Sequence, residues 1–259
     1  MKVVILAGGT GSRLAEQTEL KPKPLVEIGG HPILWHILKH YAFYDHREFL
    51  IALGYRGDDI KRYFLERTTL NGDISICLAR NQLRRHGGEL EDWIVHMVET
   101  GAQTNTGGRV KRLENLLKDE TFLLTYGDGV SDLNLNSLVE FHKSHGRLAT
   151  VTAVRPPARY GGLIFDGDLV AKFTEKPQIG EGWINGGFLV LEPGVFKYLT
   201  NNDDTSLESD ALERLAADGQ LAAYKHEGFW QCMDTLREKR LLESLWHTGK
   251  PPWKVWETS

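Results

Sequence analysis

The sequence predicts an α/β fold: a doubly wound, mostly parallel sheet with an additional antiparallel portion. Three observations carry this. Short apolar runs alternate with stretches of helical periodicity through the first half of the chain, the pattern of β-α-β units with right-handed crossovers. A glycine-rich turn, Gly8-Gly9-Thr10-Gly11, follows the first apolar run directly. After about residue 148 the pattern changes, and strand-like runs succeed one another across short turns.

The elements follow in order. Residues 2–6 read as a short buried strand. HPILWHILKHYAF (31–43) places apolar residues at helical spacing, with Pro32 suited to the first turn. A strand at 48–53, a helix at 58–67, and strands at 73–79 and 93–99 come next. Thr106 is a candidate cap for a helix at 106–118. A strand at 121–126 and a helix at 135–145 complete the alternating part. Beyond it ATVTAV, GGLIFD, LVAKFTE and GGFLVLE read as strands of an antiparallel addition or lid. Helices near 206–217 and 235–247 close the chain. The polar stretch from about 80 to 105 reads as partly loop, suited to a flap or a subunit contact.

The 259 residues, 41% hydrophobic and 25% charged, suit one large domain or two closely joined ones. A net charge of -4 without blocks of like charge argues against nucleic acid or an anionic membrane as main partner. No signal peptide is visible, and no apolar run approaches the ~18 residues of a membrane span, so a cytoplasmic protein is expected. Cys77 and Cys232 are far apart and make no C-x-x-C motif; reduced thiols are expected.

The glycine turn fits neither common nucleotide motif. Leu14 stands where G-x-G-x-x-G needs its third glycine, and the P-loop pattern is absent. This disfavours a nicotinamide-dependent oxidoreductase and a P-loop NTPase. Yet Gly8, Gly9 and Gly11 free the backbone to aim N–H groups at an anion. Arg13, Lys21 and Lys23 follow, and prolines after both lysines stiffen the segment. The set reads as a triphosphate cradle with charge for a transferred phosphoryl group, rather than a tight turn with solvated charges. Asp128 stands between glycines just past a buried strand, where open α/β sheets bind ligands. Asp234 precedes the last helix. Together they form a candidate Mg²⁺ site; each alone also suits a turn or cap residue. His36 and His40, one helical turn apart, lack the Glu of an H-E-x-x-H site and read as structural. Trp246, Trp253 and Trp256 read as packing or subunit contacts.

LAGGTGSRL followed by KPKPLVEIGGHPILWHI resembles the sugar-1-phosphate nucleotidyltransferases, which join an NTP to a sugar phosphate and release pyrophosphate. The resemblance runs on through TGGRVKR, TYGDGV, FTEKP, INGGFLVL and GFWQCMDT. The combination is most similar to the glucose-1-phosphate cytidylyltransferases, which make CDP-glucose from CTP and glucose 1-phosphate. Cys232 stands where that pattern has proline, Leu25 where it has methionine and Thr10 where it has leucine. None of these removes a charge or an expected ligand.

The resemblance implies a Rossmann-like fold of the nucleotide-diphospho-sugar transferase type. It implies one domain, with 1–147 mainly the nucleotide half and 148–259 mainly the sugar-phosphate half. Leu6, Ala7, Gly8, Gly9, Thr10, Gly11 and Ser12 would hold the nucleotide, with Thr106, Arg109, Tyr126, Gly127 and Asp128. Arg13 and Lys23 would neutralise the triphosphate, and Asp128 and Asp234 would hold Mg²⁺. Gly129, Gly162, Glu175, Lys176, Asn185, Gly186 and Gly187 would form the sugar side, with Lys176 on the sugar phosphate. A homo-oligomer, by resemblance a hexamer, and a place in O-antigen or lipopolysaccharide synthesis are also implied. The choice of base and hexose stays open, and a non-catalytic sensor of the same ligands is a remote alternative.

Overall fold

A computed structural model of the chain describes residues 1–9, 21–156, 162–166, 169–174 and 182–257. Its centre is a seven-stranded sheet. The strands are β1 (Val3–Leu6), β2 (Glu48–Leu53), β3 (Ile94–Glu99), β4 (Phe122–Tyr126), β5 (Ala149–Val154), β6 (Ile184–Leu191) and β7 (Leu221–His226), in the order β7-β5-β6-β4-β1-β2-β3. β1 pairs in parallel with β2 and β4, β2 with β3, and β5 with β7. Only β6 runs against its neighbours, β4 and β5. The principal helices are α1 (Ile33–Phe43), α2 (Gly57–Leu70), α3 (Thr106–Arg112), α4 (Leu135–His145) and α5 (Leu236–His247).

Both faces of the sheet are covered, so the central β1 is wholly apolar and β2 apolar after Glu48. Val3, Ile5, Phe49 and Ile51 join α1, α4 and Trp253 in one core cluster. Val4, Leu6, Leu50 and Ala52 join α3 and residues 195–215 in the other. This is the α/β sandwich with a mostly parallel sheet that the alternation predicts.

The structure corrects several local expectations. Asp73–Cys77 does not enter the sheet; it pairs antiparallel with Gln82–His86, and both strands are exposed. Its polar alternation, Asp73-Ile74-Ser75-Ile76-Cys77, cannot be buried on two faces as an interior parallel strand must be. The expected antiparallel addition is mostly absorbed. β5 and β7 lie parallel to each other, and the crossover through α4 returns β5 parallel to β4, with β6 running against both. A separate antiparallel hairpin is made by Gly162–Asp166 and Leu169–Thr174. The helix expected at 106–118 breaks at Leu113 into Thr106–Arg112 and Glu114–Leu117, and its cap is Asn105, whose side chain accepts from Thr106 N at 2.8 Å. The helix near 206 opens as a π turn, Leu207–Leu212, before Glu213–Ala217. Pro32 sits at the cap of α1, one residue before the first turn. Among the described residues no helix is long and apolar enough to cross a membrane.

Candidate active site

The register of the parallel strands sets Leu6 beside Ala52 and Tyr126 at the carboxyl edge of the sheet. The chain stays paired just past that edge: Ala7 N donates to Ala52 O at 3.2 Å and Gly127 N to Leu6 O at 3.0 Å. A cleft of about 530 Å³ opens there. It gathers eleven of the residues expected from the sequence: Leu6, Ala7, Gly8, Gly9, Lys23, Thr106, Arg109, Tyr126, Gly127, Asp128 and Asp234.

Asp128 and Asp234 are brought together by a small antiparallel ladder, Gly129–Ser131 against Trp230–Cys232. Met233 N closes it by donating to Asp128 O at 2.8 Å. The Lys-Pro-Lys-Pro stretch delivers the cation. Pro22 is extended, and Lys23–Leu25 form a short 3-10 turn with Pro24 buried in it. Lys23 Nζ lies 2.6 Å from Asp128 Oδ2 and 2.5 Å from Asp234 Oδ1. Burial works against the Lys23 charge, but the two carboxylates outweigh it and raise its pKa. Two hard oxygen donors thus converge on one cation at the floor of the cleft, which fits the carboxylate preference of Mg²⁺. Lys21 is not part of this group; it is exposed and paired with Glu27 at 2.7 Å.

Cys232 Sγ faces Asp234 Oδ2 at 3.6 Å. Burial, with the nearby carboxylates, pushes its thiol up to about 12, so it keeps its proton. Cys232, Asp234 and Glu238 offer atoms within 4.8 Å of one another. Glu238 Oε2, however, already accepts from Asp234 N at 2.7 Å and Thr235 N at 2.9 Å in the capping box of α5. Both cysteines are free thiols, as expected.

Arg109 is buried, and burial lowers its pKa. Its guanidinium donates to Leu53 O at 2.8 Å, Thr100 Oγ1 at 2.9 Å, Gly101 O at 2.7 Å and Gly8 O at 3.1 Å. It therefore ties the glycine turn to the ends of β2 and β3. A Cβ on Gly8 would lie 2.2 Å from Arg109 Cζ and one on Gly54 2.4 Å from its Nη1. Gly8 serves this side chain as well as any anion. Gly54 carried no signal in the residue pattern. The Thr106 hydroxyl is also engaged by protein: it donates to Glu208 at 2.7 Å and accepts from Leu207 N at 2.9 Å.

Asn185, Gly186 and Gly187 open β6, next to Tyr126. Asn185 Oδ1 accepts from Gly187 N at 2.8 Å, and Gly186 O accepts from Trp230 Nε1 at 2.7 Å. Gly129 starts the aspartate ladder, and Gly162 starts the separate hairpin. Thr10, Gly11, Ser12, Arg13, Glu175 and Lys176 lie outside the described residues. Gln103, Thr104, Asp203 and Asp204 also line the cleft and were missed; the polar runs GAQTN (101–105) and NNDDTS (201–206) were their only signals. His36 and His40 are structural, with Nε2 donating to Ile28 O at 2.9 Å and Leu133 O at 2.8 Å.

A family model described as nucleotidyl transferase matches residues 2–243. The chain is 50% identical over 258 residues to the glucose-1-phosphate cytidylyltransferases of Salmonella typhi and Salmonella typhimurium, over 99% of this chain and 100% of theirs. It is 31% identical over 252 residues to the mannose-1-phosphate guanylyltransferase catalytic subunit beta of Danio rerio, over 95% of this chain and 64% of that one. HddC from Yersinia pseudotuberculosis shares the fold with a TM-score of 0.70 at 22% identity, over 95% of this chain and 99% of that one. A UDP-glucose pyrophosphorylase complexed with UDP-glucose does so with a TM-score of 0.68 at 16% identity, over 96% and 98%. Matched by the family model over nearly its whole length, the chain belongs to the nucleotidyl transferase family.

Proposed function

We propose that this chain transfers CMP from CTP to α-D-glucose 1-phosphate, giving CDP-glucose and pyrophosphate. The observation that carries the reading is the Lys23 ammonium held between Asp128 and Asp234 beside the glycine turn, in a chain 50% identical to two glucose-1-phosphate cytidylyltransferases. An oxygen of the sugar phosphate attacks the α-phosphorus in line, and pyrophosphate leaves opposite. No covalent enzyme nucleophile is needed; positioning and charge neutralisation suffice. Lys23, with Arg13, offsets the negative charge of the triphosphate and of the transition state. Thr106 and Arg109 border the nucleotide while their polar atoms hold the cleft walls together. Glu175, Lys176, Asn185, Gly186 and Gly187, with Gly129 and Gly162, take the hexose phosphate.

The family generally uses a divalent metal. We assign Mg²⁺, held by Asp128 and Asp234; when bound it would supply charge neutralisation for the phosphates. The division into a nucleotide half (1–147) and a sugar half (148–259), a cytoplasmic location and a homo-oligomeric, by resemblance hexameric, state belong to the same proposal. The exposed Ile76 and Leu78 of the 73–86 hairpin suit a subunit contact. Sedimentation velocity measures the oligomer.

The 31% identical guanylyltransferase favours, as second reading, another NTP or hexose phosphate. Pyrophosphate release across four NTPs and several sugar 1-phosphates decides. CTP with glucose 1-phosphate should give the highest kcat/KM. A clearly higher value with UTP or dTTP would sink the cytidylyl assignment and leave the transferase class standing.

A further inference from the structure

Glu208 has no part in the reading above, yet three hydroxyls converge on its half-buried carboxylate. Tyr126 donates to Oε1. Thr106 donates to Oε2 at 2.7 Å, and Ser206 to the same oxygen at 2.9 Å. On the far side of the tyrosine, Asn185 Nδ2 lies 3.5 Å from the Tyr126 hydroxyl, and Asn185 Oδ1 accepts from Gly187 N. One carboxylate therefore links the first turn of α3 to the tyrosine that ends β4. Through that tyrosine it reaches the first residues of β6.

The backbone around Glu208 makes the link possible. A Cβ on Gly107 would lie 2.8 Å from the Ser206 carbonyl carbon, and one on Gly108 2.5 Å from Asn202 O. Only glycines let α3 approach the 202–207 segment this closely, which accounts for the paired glycines of TGGR. The segment then opens in the π turn Leu207–Leu212, with Ser206 as its cap. Such wide turns recur at functional sites. Across the cleft Gly187, at φ +81, leaves room for the tyrosine ring: a Cβ there would lie 2.6 Å from Tyr126 Cδ2.

The charges fit a fixed link and not a proton relay. Burial opposes the Glu208 charge, but hydrogen bonds from Thr106 and Tyr126 hold its carboxyl below the usual range. Burial, then the Glu208 charge, push the Tyr126 hydroxyl up, so it stays protonated and remains a donor.

We infer that Glu208 is a positioning residue for the transfer: by holding the Tyr126 hydroxyl it fixes that ring against Gly187 and Asn185, and so sets the hexose side of the cleft relative to the nucleotide side. This rests on the assignment of Asn185 and Gly187 to the sugar. A residue serving stability alone would shift the unfolding temperature and leave the Michaelis constants in place.

Steady-state kinetics of Glu208→Gln, Tyr126→Phe and the double variant, with both substrates varied, test the inference. The NTP and hexose 1-phosphate are whichever pair the wild type turns over, so a wrong cytidylyl assignment does not touch the outcome. Each single variant should raise the KM for the hexose phosphate roughly tenfold, the scale of one hydrogen bond to a charged group. The KM for the NTP should rise by clearly less, because Tyr126→Phe keeps the ring and Glu208→Gln keeps the shape beside the nucleotide. Because Tyr126→Phe removes the donor of one bond and Glu208→Gln the charge it points at, the double variant should be no worse than the worse single. An unchanged hexose-phosphate KM in folded variants overturns the inference. So does a rise confined to the NTP, or effects that multiply in the double variant. If Glu208→Gln does not fold, Tyr126→Phe decides alone, since it keeps the ring and removes only the hydroxyl. If the wild type turns over no pair, the proposed function fails, and calorimetric affinity for glucose 1-phosphate carries the same comparison.

Discussion

Asp128 and Asp234 would repel each other without the Lys23 ammonium between them. The same two carboxylates are the ones proposed to hold Mg²⁺, and on that proposal charge at this point bears on both the resting site and the reaction. Asp128→Asn and Asp234→Asn each keep the shape and remove one negative charge. Each should abolish most turnover while far-UV circular dichroism stays native; near-normal activity at limiting Mg²⁺ would remove that residue from the ligand set. Lys23→Ala should chiefly lower kcat if, as proposed, its charge meets the phosphoryl group in the transition state. Lys176→Ala should instead raise the KM for glucose 1-phosphate, by about ten- to a hundredfold for one charge-assisted contact. If it raised the KM for CTP alone, the placement of the two substrates would be wrong. Arginine should rescue neither lysine well, since a planar fork replaces a point charge.

α1 shows how an element can carry a pH limit. Burial lowers the pKa of His36 and of His40 to about 4. In neutral form His36 donates from Nε2 to Ile28 O and accepts at Nδ1 from Trp253 Nε1 at 3.3 Å. A second proton would set donor against donor. The unfolded rings take protons near the ordinary value of about 6.5, the folded ones only near 4. The unfolded state therefore binds more protons between those limits. The stability these neutral rings contribute is complete above about 6.5 and falls as the pH drops toward 4, by up to about 1.4 kcal/mol per pH unit for each histidine. Urea unfolding at pH 7 and pH 5 measures the slope, which His40→Gln should make shallower. Where α3 meets the 202–207 segment, Gly107→Ala forces a Cβ onto the Ser206 backbone. It should cost roughly 1–3 kcal/mol of stability, read as a lower Tm.

For the whole molecule, the cleft lies where β1, β2 and β4 end together, so ligand binding bears on the central sheet. Ligand that binds only the folded state stabilises it by mass action, about 2.7 kcal/mol at a hundredfold excess over Kd. For a chain of this size that is a rise in Tm of about 5–10 °C. CTP with Mg²⁺ should produce such a rise, and Asp128→Asn should remove the part that depends on Mg²⁺. Equal rises with and without the metal in the wild type would detach Mg²⁺ from nucleotide binding.

The sequence by itself determined the sandwich and named many of the residues that line the cleft. Apolar runs buried on two faces identified β1, β2 and β4, and periodicity located α1 and α4, because both signals are local. The glycine turn, Lys-Pro-Lys-Pro and the two aspartates were legible because their chemistry is written in residue type. Only the tertiary structure decided which strands share the central sheet. Strand direction and partner choice depend on crossovers far along the chain, so β5 and β7 were not recognisable as parallel strands, and the 73–77 strand was placed in the sheet wrongly. It also decided what each polar group meets. Lys23 reaches two carboxylates 105 and 211 residues away, whereas Lys21 finds Glu27 beside it. Arg109 closes on Gly8 and Gly54, and Glu208 on Tyr126, across separations that no local pattern encodes.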